Sequence, residues 1–271
     1  MTGGSNFKIL LLTATITASF AITALIMITN IYSSKKSYND QINYLIFSGA
    51  KQFTDIDVKS NYDFSHKNLP SNNGIYSVDC SGFVSLVLNH QNITNPIQEV
   101  INFIPKNFLP HIINNTPSPL HYSFFLKNKP RKQYWDLIDN AYSLIPGDFI
   151  IYTKHSMEYQ NVGQNNYNKQ FNTEYGQHIM IVAGRSQKTA ADPHILWVPI
   201  FDSTKIPHGQ TDQRSKHNTN GIGEGTIGLV INEYSHPVKI IWKDQSKNQT
   251  WQPITKDFLK RDIKMARITN R

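Results

Sequence analysis

Cysteine is nearly absent from this chain: 271 residues contain one, Cys80. A single thiol cannot close an internal disulfide, so the fold must stand on its apolar core, and the thiol itself becomes a candidate reactive group. With no second cysteine for a thiolate cluster and no H-E-x-x-H pair, the sequence predicts neither a metal site nor a cofactor; any zinc would need dispersed His and Asp ligands. Acidic residues are scarce as well, 19 against 27 Lys and Arg, for a net charge of +8. Such a balance favours a polyanionic neighbourhood. There is no compact Lys/Arg block with interleaved aromatics, however, so nucleic acid is not an expected partner. Internal repeats are also lacking.

What the chain does have, at 39% apolar and 11% aromatic residues, is enough material for one sizeable core. Three stretches organise it. Residues 1–31 contain "ILLLTATITASFAITALIMITNI" (9–31), which carries no charge and is long enough to cross a hydrocarbon layer. This reads as an export or anchoring segment: Ser19-Phe20-Ala21 would serve as a cleavage site, but apolar residues continue past it, which favours an uncleaved anchor. No cysteine follows for lipidation, and Lys8 against Lys35 and Lys36 leaves the orientation open. Residues 32–45 read as a polar linker and 46–271 as the folded domain.

Within that domain, "YSVDCSGFVSLVL" (76–88) predicts a buried helix that Asp79 caps, with Cys80 on its first turn. Strands are expected at 148–153, 178–184, 195–202, 226–231, 238–242 and 263–269, separated mostly by turns too short for crossover helices. A helix set before an antiparallel sheet is an α+β fold. Short helices are expected within 96–143, "RKQYWDLIDNAY" (131–142) the clearest, and a long loop over 155–177. Gly223, Gly225 and Gly228 satisfy a G-x-G-x-x-G count, but no strand leads into them, so they read as a flexible loop rather than a dinucleotide site.

A thiol on a first helical turn faces unpaired backbone N–H groups and the positive end of the dipole, which favour negative charge on sulfur and on an oxyanion beside it. Such a nucleophile needs a base, and His178 opens the strand "HIMIVAG". The base needs an orienter, and Asp202 ends the following strand. His155, His194 and His208 are alternative bases or surface residues, Asp202 alternatively caps a turn, and a lone buried Cys is often only a small apolar side chain. His208 and Asp212 lie in a polar stretch that reads as an exposed loop bordering the cleft.

"DCSGFV", then "LIPGDFIIY", then "GQHIMIVAG" resembles, in wording and order, the NlpC/P60 family of papain-like cysteine peptidases. The resemblance covers roughly residues 60 to 205. It implies a papain-like fold with Cys80 as nucleophile, His178 as base and Asp202 in the third polar position. It also implies a supporting tyrosine upstream of the cysteine, for which Tyr62 is the nearest candidate, with Tyr76 and His66 as alternatives; Ser81 and His208 are further candidates at the oxyanion or cleft. The activity implied is hydrolysis of peptide bonds in the peptidoglycan stem, with peptidoglycan or another anionic wall polymer as partner and the cell envelope as location. Acyl transfer to an amine, lipid or protein by the same thioester, as in an effector enzyme, and a non-catalytic wall-binding module are the alternatives.

Overall fold

The computed structural model describes residues 24, 25, 27–29, 33, 37–54, 60–63, 75–153, 177–189, 192–208, 212, 214, 215, 219–242 and 262–269. The apolar segment 9–31 and the loop expected over 155–177 lie almost wholly outside these residues. No helix among the described residues is long and apolar enough to cross a membrane.

Helix α1 spans residues 37–54. Ile42, Ile46, Ala50 and Phe53 recur every three or four positions and are all buried, giving one apolar stripe against the core. The expected linker is therefore corrected: residues 37–45 are helix, because Ile42 and the buried Asn43 belong to this packing face. Two short strands follow, β1 (Ser60–Asn61) and β2 (Tyr76–Ser77), paired in parallel. Helix α2 (Cys80–His90) begins directly after them. Helices α3 (Asn95–Phe103) and α4 (Pro119–Asn128) each start with a proline in the first turn, where its missing N–H has no helical partner to lose.

The remaining strands are β3 (Trp135–Leu137), β4 (Phe149–Thr153), β5 (Gln177–Val182), β6 (Gln187–Thr189), β7 (Asp192–Thr204), β8 (Gly221–Ile231), β9 (Pro237–Trp242) and β10 (Asp262–Ile268). They form one sheet ordered β3-β10-β4-β5-β7-β8-β9, with β6 also on β7, and every pairing is antiparallel. The mixed architecture expected from the sequence is present: helices on one side of an antiparallel sheet.

Both faces of the sheet are covered, which is why β4 is buried at every position. On one face Phe149, Ile151, Ile179, Ile181 and Phe201 pack with α1, α2 and α4. On the other, Ile150, Met180, Val182, Ile200, Ile227 and Ile240 form a second core. β9 and β10 approach each other, so the sheet curls around this second core.

The segment 131–142 is not the expected helix: residues 131–140 carry no helix, and only a 3-10 turn, Ala141–Ser143, follows. Trp135 opens β3, which pairs with β10; its ring is fully buried against Tyr122, Phe125 and Phe149, and its indole N–H donates to the Pro96 carbonyl at 3.1 Å. Tertiary packing of one large side chain outweighs the local helical pattern.

The "PGD" turn before β4 is structural. Gly147 has φ +92, and a Cβ there would collide with the Asn43 backbone. Asp148, fully buried, accepts from Asn43 Nδ2 (3.1 Å), Ile145 N (2.8 Å) and Arg267 Nε (2.7 Å), tying α1 and β10 to the turn. Burial raises its carboxyl, opposed by the Arg267 guanidinium.

Candidate active site

Asp79 caps α2 as its position predicts. Its Oδ1 accepts from Gly82 N at 2.7 Å and its carbonyl from Phe83 N at 2.9 Å. Ser81 Oγ donates to the same Oδ1 at 2.9 Å, so this hydroxyl takes part in the cap. Cys80 is the first residue of α2, directly after this cap. Parallel pairing of β1 with β2 brings the chain at Tyr62 alongside Val78, and Tyr62 N donates to Asn220 Oδ1 at 2.9 Å. The tyrosine is thus near the helix start, its backbone serving to bridge β1 to the stretch before β8.

His178, second residue of β5, and Asp202, in β7, stand on neighbouring antiparallel strands. The register pairs Ile181 with Phe201 and Val182 with Ile200, which puts His178 and Asp202 on the same face, diagonal to one another. His178 Nε2 lies 2.6 Å from Asp202 Oδ2. Cys80 also acts on this imidazole, by charge and by a hydrogen bond. Burial alone would lower the His178 pKa, but the Cys80 sulfur and the Asp202 carboxylate override it and raise it to about 10. At neutral pH the imidazole therefore holds the proton. Cysteine, histidine and aspartate, widely separated in sequence, form one chain of contacts.

The structure adds what the sequence did not. His208 Nε2 is also 2.6 Å from Asp202 Oδ2, so one carboxylate oxygen serves two imidazoles. Arg214 Nη2 donates to the other oxygen, Oδ1, at 2.9 Å and to Asp212 Oδ2 at 2.7 Å, while its Nη1 reaches the Gly221 carbonyl at 2.6 Å. His208, Asp212 and Arg214 are 1%, 0% and 4% exposed, which corrects the exposed loop expected here. They are buried because their charges and donors satisfy each other. The described residues His208, Asp212 and Arg214, between β7 and β8, lie against β8 and beside Asp202.

Two of the three glycines make room for them, while Gly228 packs against Trp197. They lie within β8, not in a loop: Gly223 opposes Asp202, Gly225 opposes Ile200 and Gly228 opposes Trp197. A Cβ at Gly225 would come within 2.6 Å of His208 Cβ, and one at Gly223 would collide with the Arg214 side chain. The glycine spacing records a groove for a buried histidine and arginine. Alternation of glycine in a strand was the one sequence signal for this; nothing marked Arg214 or Trp242.

Burial raises the Asp202 carboxyl, but the His208 ring, the Arg214 guanidinium and the N–H groups of both histidines hold it well below the usual range. Burial, with repulsion from Arg214 and His178, lowers the His208 imidazole despite Asp202. Trp242 stacks on His208 (centroids 4.2 Å apart, 22°) and meets His178 edge-on (5.5 Å, 72°). Of the alternative bases, His194 is exposed on β7 and His155 lies outside the described residues.

His178 Nε2, Asp202 Oδ2 and His208 Nε2 all lie within 4.8 Å of one another, a spacing that metal ligands also show. Ligands about 2.1 Å from one ion sit roughly 3 Å apart or more. The 2.6 Å separations found here are those of shared protons, and a guanidinium already neutralises the carboxylate. The arrangement can hold a nucleophile, a charged imidazole and a fixed orienter at a helix end. Comparison with protein-family models, curated proteins and solved structures returned no match.

Proposed function

We propose that the protein is a cysteine amidase of the NlpC/P60 type, with a papain-like fold, that cleaves peptide bonds in the peptidoglycan stem. The observation that carries this reading is the Cys80–His178–Asp202 chain at the start of α2, with its proton held on the imidazole.

The geometry supports the following course for this reaction. The Cys80 thiolate adds to the scissile carbonyl, and the oxyanion forms beside the first-turn amide of Cys80, where the helix dipole favours negative charge. As the C–N bond breaks, imidazolium His178 gives its proton to the leaving amine, leaving a thioester and a neutral ring. Water then adds to the thioester carbon while His178 takes its proton, and release of the acid returns thiolate and imidazolium. Asp202 holds the imidazole by its Nε2 throughout.

The substrate side rests on the three-motif resemblance and on the net charge of +8, which suits an anionic wall. The uncharged segment 9–31 accords with an envelope location, as an anchor or an export signal. The test is a digest of purified peptidoglycan with the full chain, soluble products being weighed by mass spectrometry beside a Cys80→Ala control. Release of stem-peptide fragments by the wild type alone supports the proposal. A wild-type digest that matches the control, with turnover when amine or lipid acceptors are supplied, assigns acyl transfer instead. Failure of both assays, with Cys80 inert to electrophiles, leaves a non-catalytic wall-binding module.

A further inference from the structure

We infer that His208 is a positioning residue of the catalytic chain: a permanently neutral donor that shares Asp202 Oδ2 with His178 and thereby limits how tightly the carboxylate holds the reacting imidazole. The inference rests on the cysteine-amidase reading and adds a fourth member to it.

The two histidines look alike only from the carboxylate. Each places Nε2 at 2.6 Å from the same oxygen. The His178 ring has a second hydrogen-bonding partner, Cys80, besides Asp202. His208 does not, because its Nδ1 is buried with no hydrogen-bond partner among the described residues. Protonating that nitrogen would bury an unpaired N–H and add a positive charge beside Arg214. The neutral ring with its proton on Nε2 is therefore the form this pocket accepts, and the lowered pKa of His208 agrees. The charged and titratable groups facing the pair are Cys80 from α2, Tyr152 from β4, Asp202 from β7, and Asp212 and Arg214 from the β7–β8 connection.

The donor is also fixed in place. His208 N donates to Asp212 Oδ2 at 2.8 Å, its ring stacks on Trp242, and that indole meets His178 edge-on. An oxygen that accepts two N–H bonds binds each less strongly than an oxygen that accepts one. With His208 present, His178 is oriented by Asp202 yet can still release its proton to the leaving amine. Without it, Asp202 would grip the imidazolium harder and make it a poorer acid.

Two substitutions in the full chain separate this from a packing role. His208→Gln keeps an N–H donor near the Nε2 position but cannot titrate; His208→Phe keeps the stacked ring and the volume but has no donor. The first readout is the kcat and KM for stem-peptide release. The second is alkylation of Cys80 by iodoacetamide as a function of pH, unambiguous because the chain has one cysteine. We expect His208→Gln to stay within about two-fold of wild type. His208→Phe should lower kcat about ten-fold at unchanged KM, the order of one lost hydrogen bond to a charged group. It should also move the alkaline inflection of alkylation, set by loss of the His178 proton, to higher pH than in the wild type, because Asp202 then holds that proton more tightly. A Phe variant equal to wild type, or Gln and Phe variants equally impaired with the inflection unmoved, overturns the inference in favour of packing alone. If the wild type fails to release stem peptides, the amidase reading falls, while the alkylation profiles still decide the role of His208.

Discussion

Replacing Arg214 with methionine keeps an apolar stem of similar length and removes the guanidinium, so the variant isolates one charge. In the structure Nη2 lies 2.9 Å from Asp202 Oδ1 and 2.7 Å from Asp212 Oδ2, and Nε lies 3.0 Å from Asp212 Oδ1. Both carboxylates are 0% exposed, so neither can turn to solvent when the cation goes. Removing one partner of a buried ion pair costs about 3–5 kcal/mol, chiefly the penalty of stranding the other charge. Against a typical domain stability of about 5–15 kcal/mol that is a large share. Urea unfolding of the full chain at neutral pH, followed by tryptophan fluorescence, measures it. The effect should also depend on pH in a defined sense. Asp202 is held well below the usual carboxylate range in the folded protein, so its stabilising contribution is present above the unfolded value and lost as pH falls through the folded one. The gap between wild type and Arg214→Met should therefore be full above about pH 4 and close in stronger acid, where the stranded Asp202 carboxylate takes up a proton. A loss below about 1 kcal/mol at neutral pH, or a gap that does not vary with pH, would refute the account of Arg214 as the charge that permits two buried carboxylates.

Asp202→Asn should lower turnover by at least about 100-fold, because one face of the amide is an NH2 that meets N–H donors on both sides, from the histidines and from Arg214; activity within two-fold of wild type would remove Asp202 from the mechanism. Gly225→Ala introduces a Cβ 2.6 Å from His208 Cβ and 3.0 Å from Asp212 Oδ2, so overpacking of about 1–3 kcal/mol is expected, read as a lower melting temperature together with faster proteolysis of the β7–β8 connection. Unchanged melting and protection would mean that segment does not sit over β8. The activity profile should fall on the alkaline side near pH 10, since the leaving amine takes its proton from imidazolium His178, whose pKa is raised to about 10; a fall already complete near pH 7 would place the proton elsewhere.

Where the sequence was legible, local chemistry and tertiary structure agreed. Asp79 followed by a small-residue turn and an apolar run specified α2 and its cap, and alternating or continuous β-branched runs specified β4, β5, β7, β9 and β10. His178 and Asp202 were reachable because each sits on such a strand. What stayed hidden was everything whose partner is remote. Trp135 left its helical pattern to fill a gap between α4 and the sheet, and Asn43 looked like linker until Asp148 claimed its amide. His208, Asp212 and Arg214 are polar in a polar stretch, the usual composition of an exposed loop. Only the mutual neutralisation of Asp202, Asp212 and Arg214, over strand glycines that make room, lets them be buried. Periodicity reports which faces are apolar, and a buried polar cluster has no such period.

The plug formed by the β7–β8 connection also sets a clock. The thiol belongs to the first third of the chain, whereas the imidazole, the carboxylate, the second histidine and the indole at Trp242 all arrive later, and Ser60 closes onto Ile222 across 162 positions. While the polypeptide is being made, Cys80 stands at the start of α2 before any of these partners exists. The chain of contacts around Asp202 is thus completed only once β8 and β9 have been synthesised and have joined β7 in the sheet.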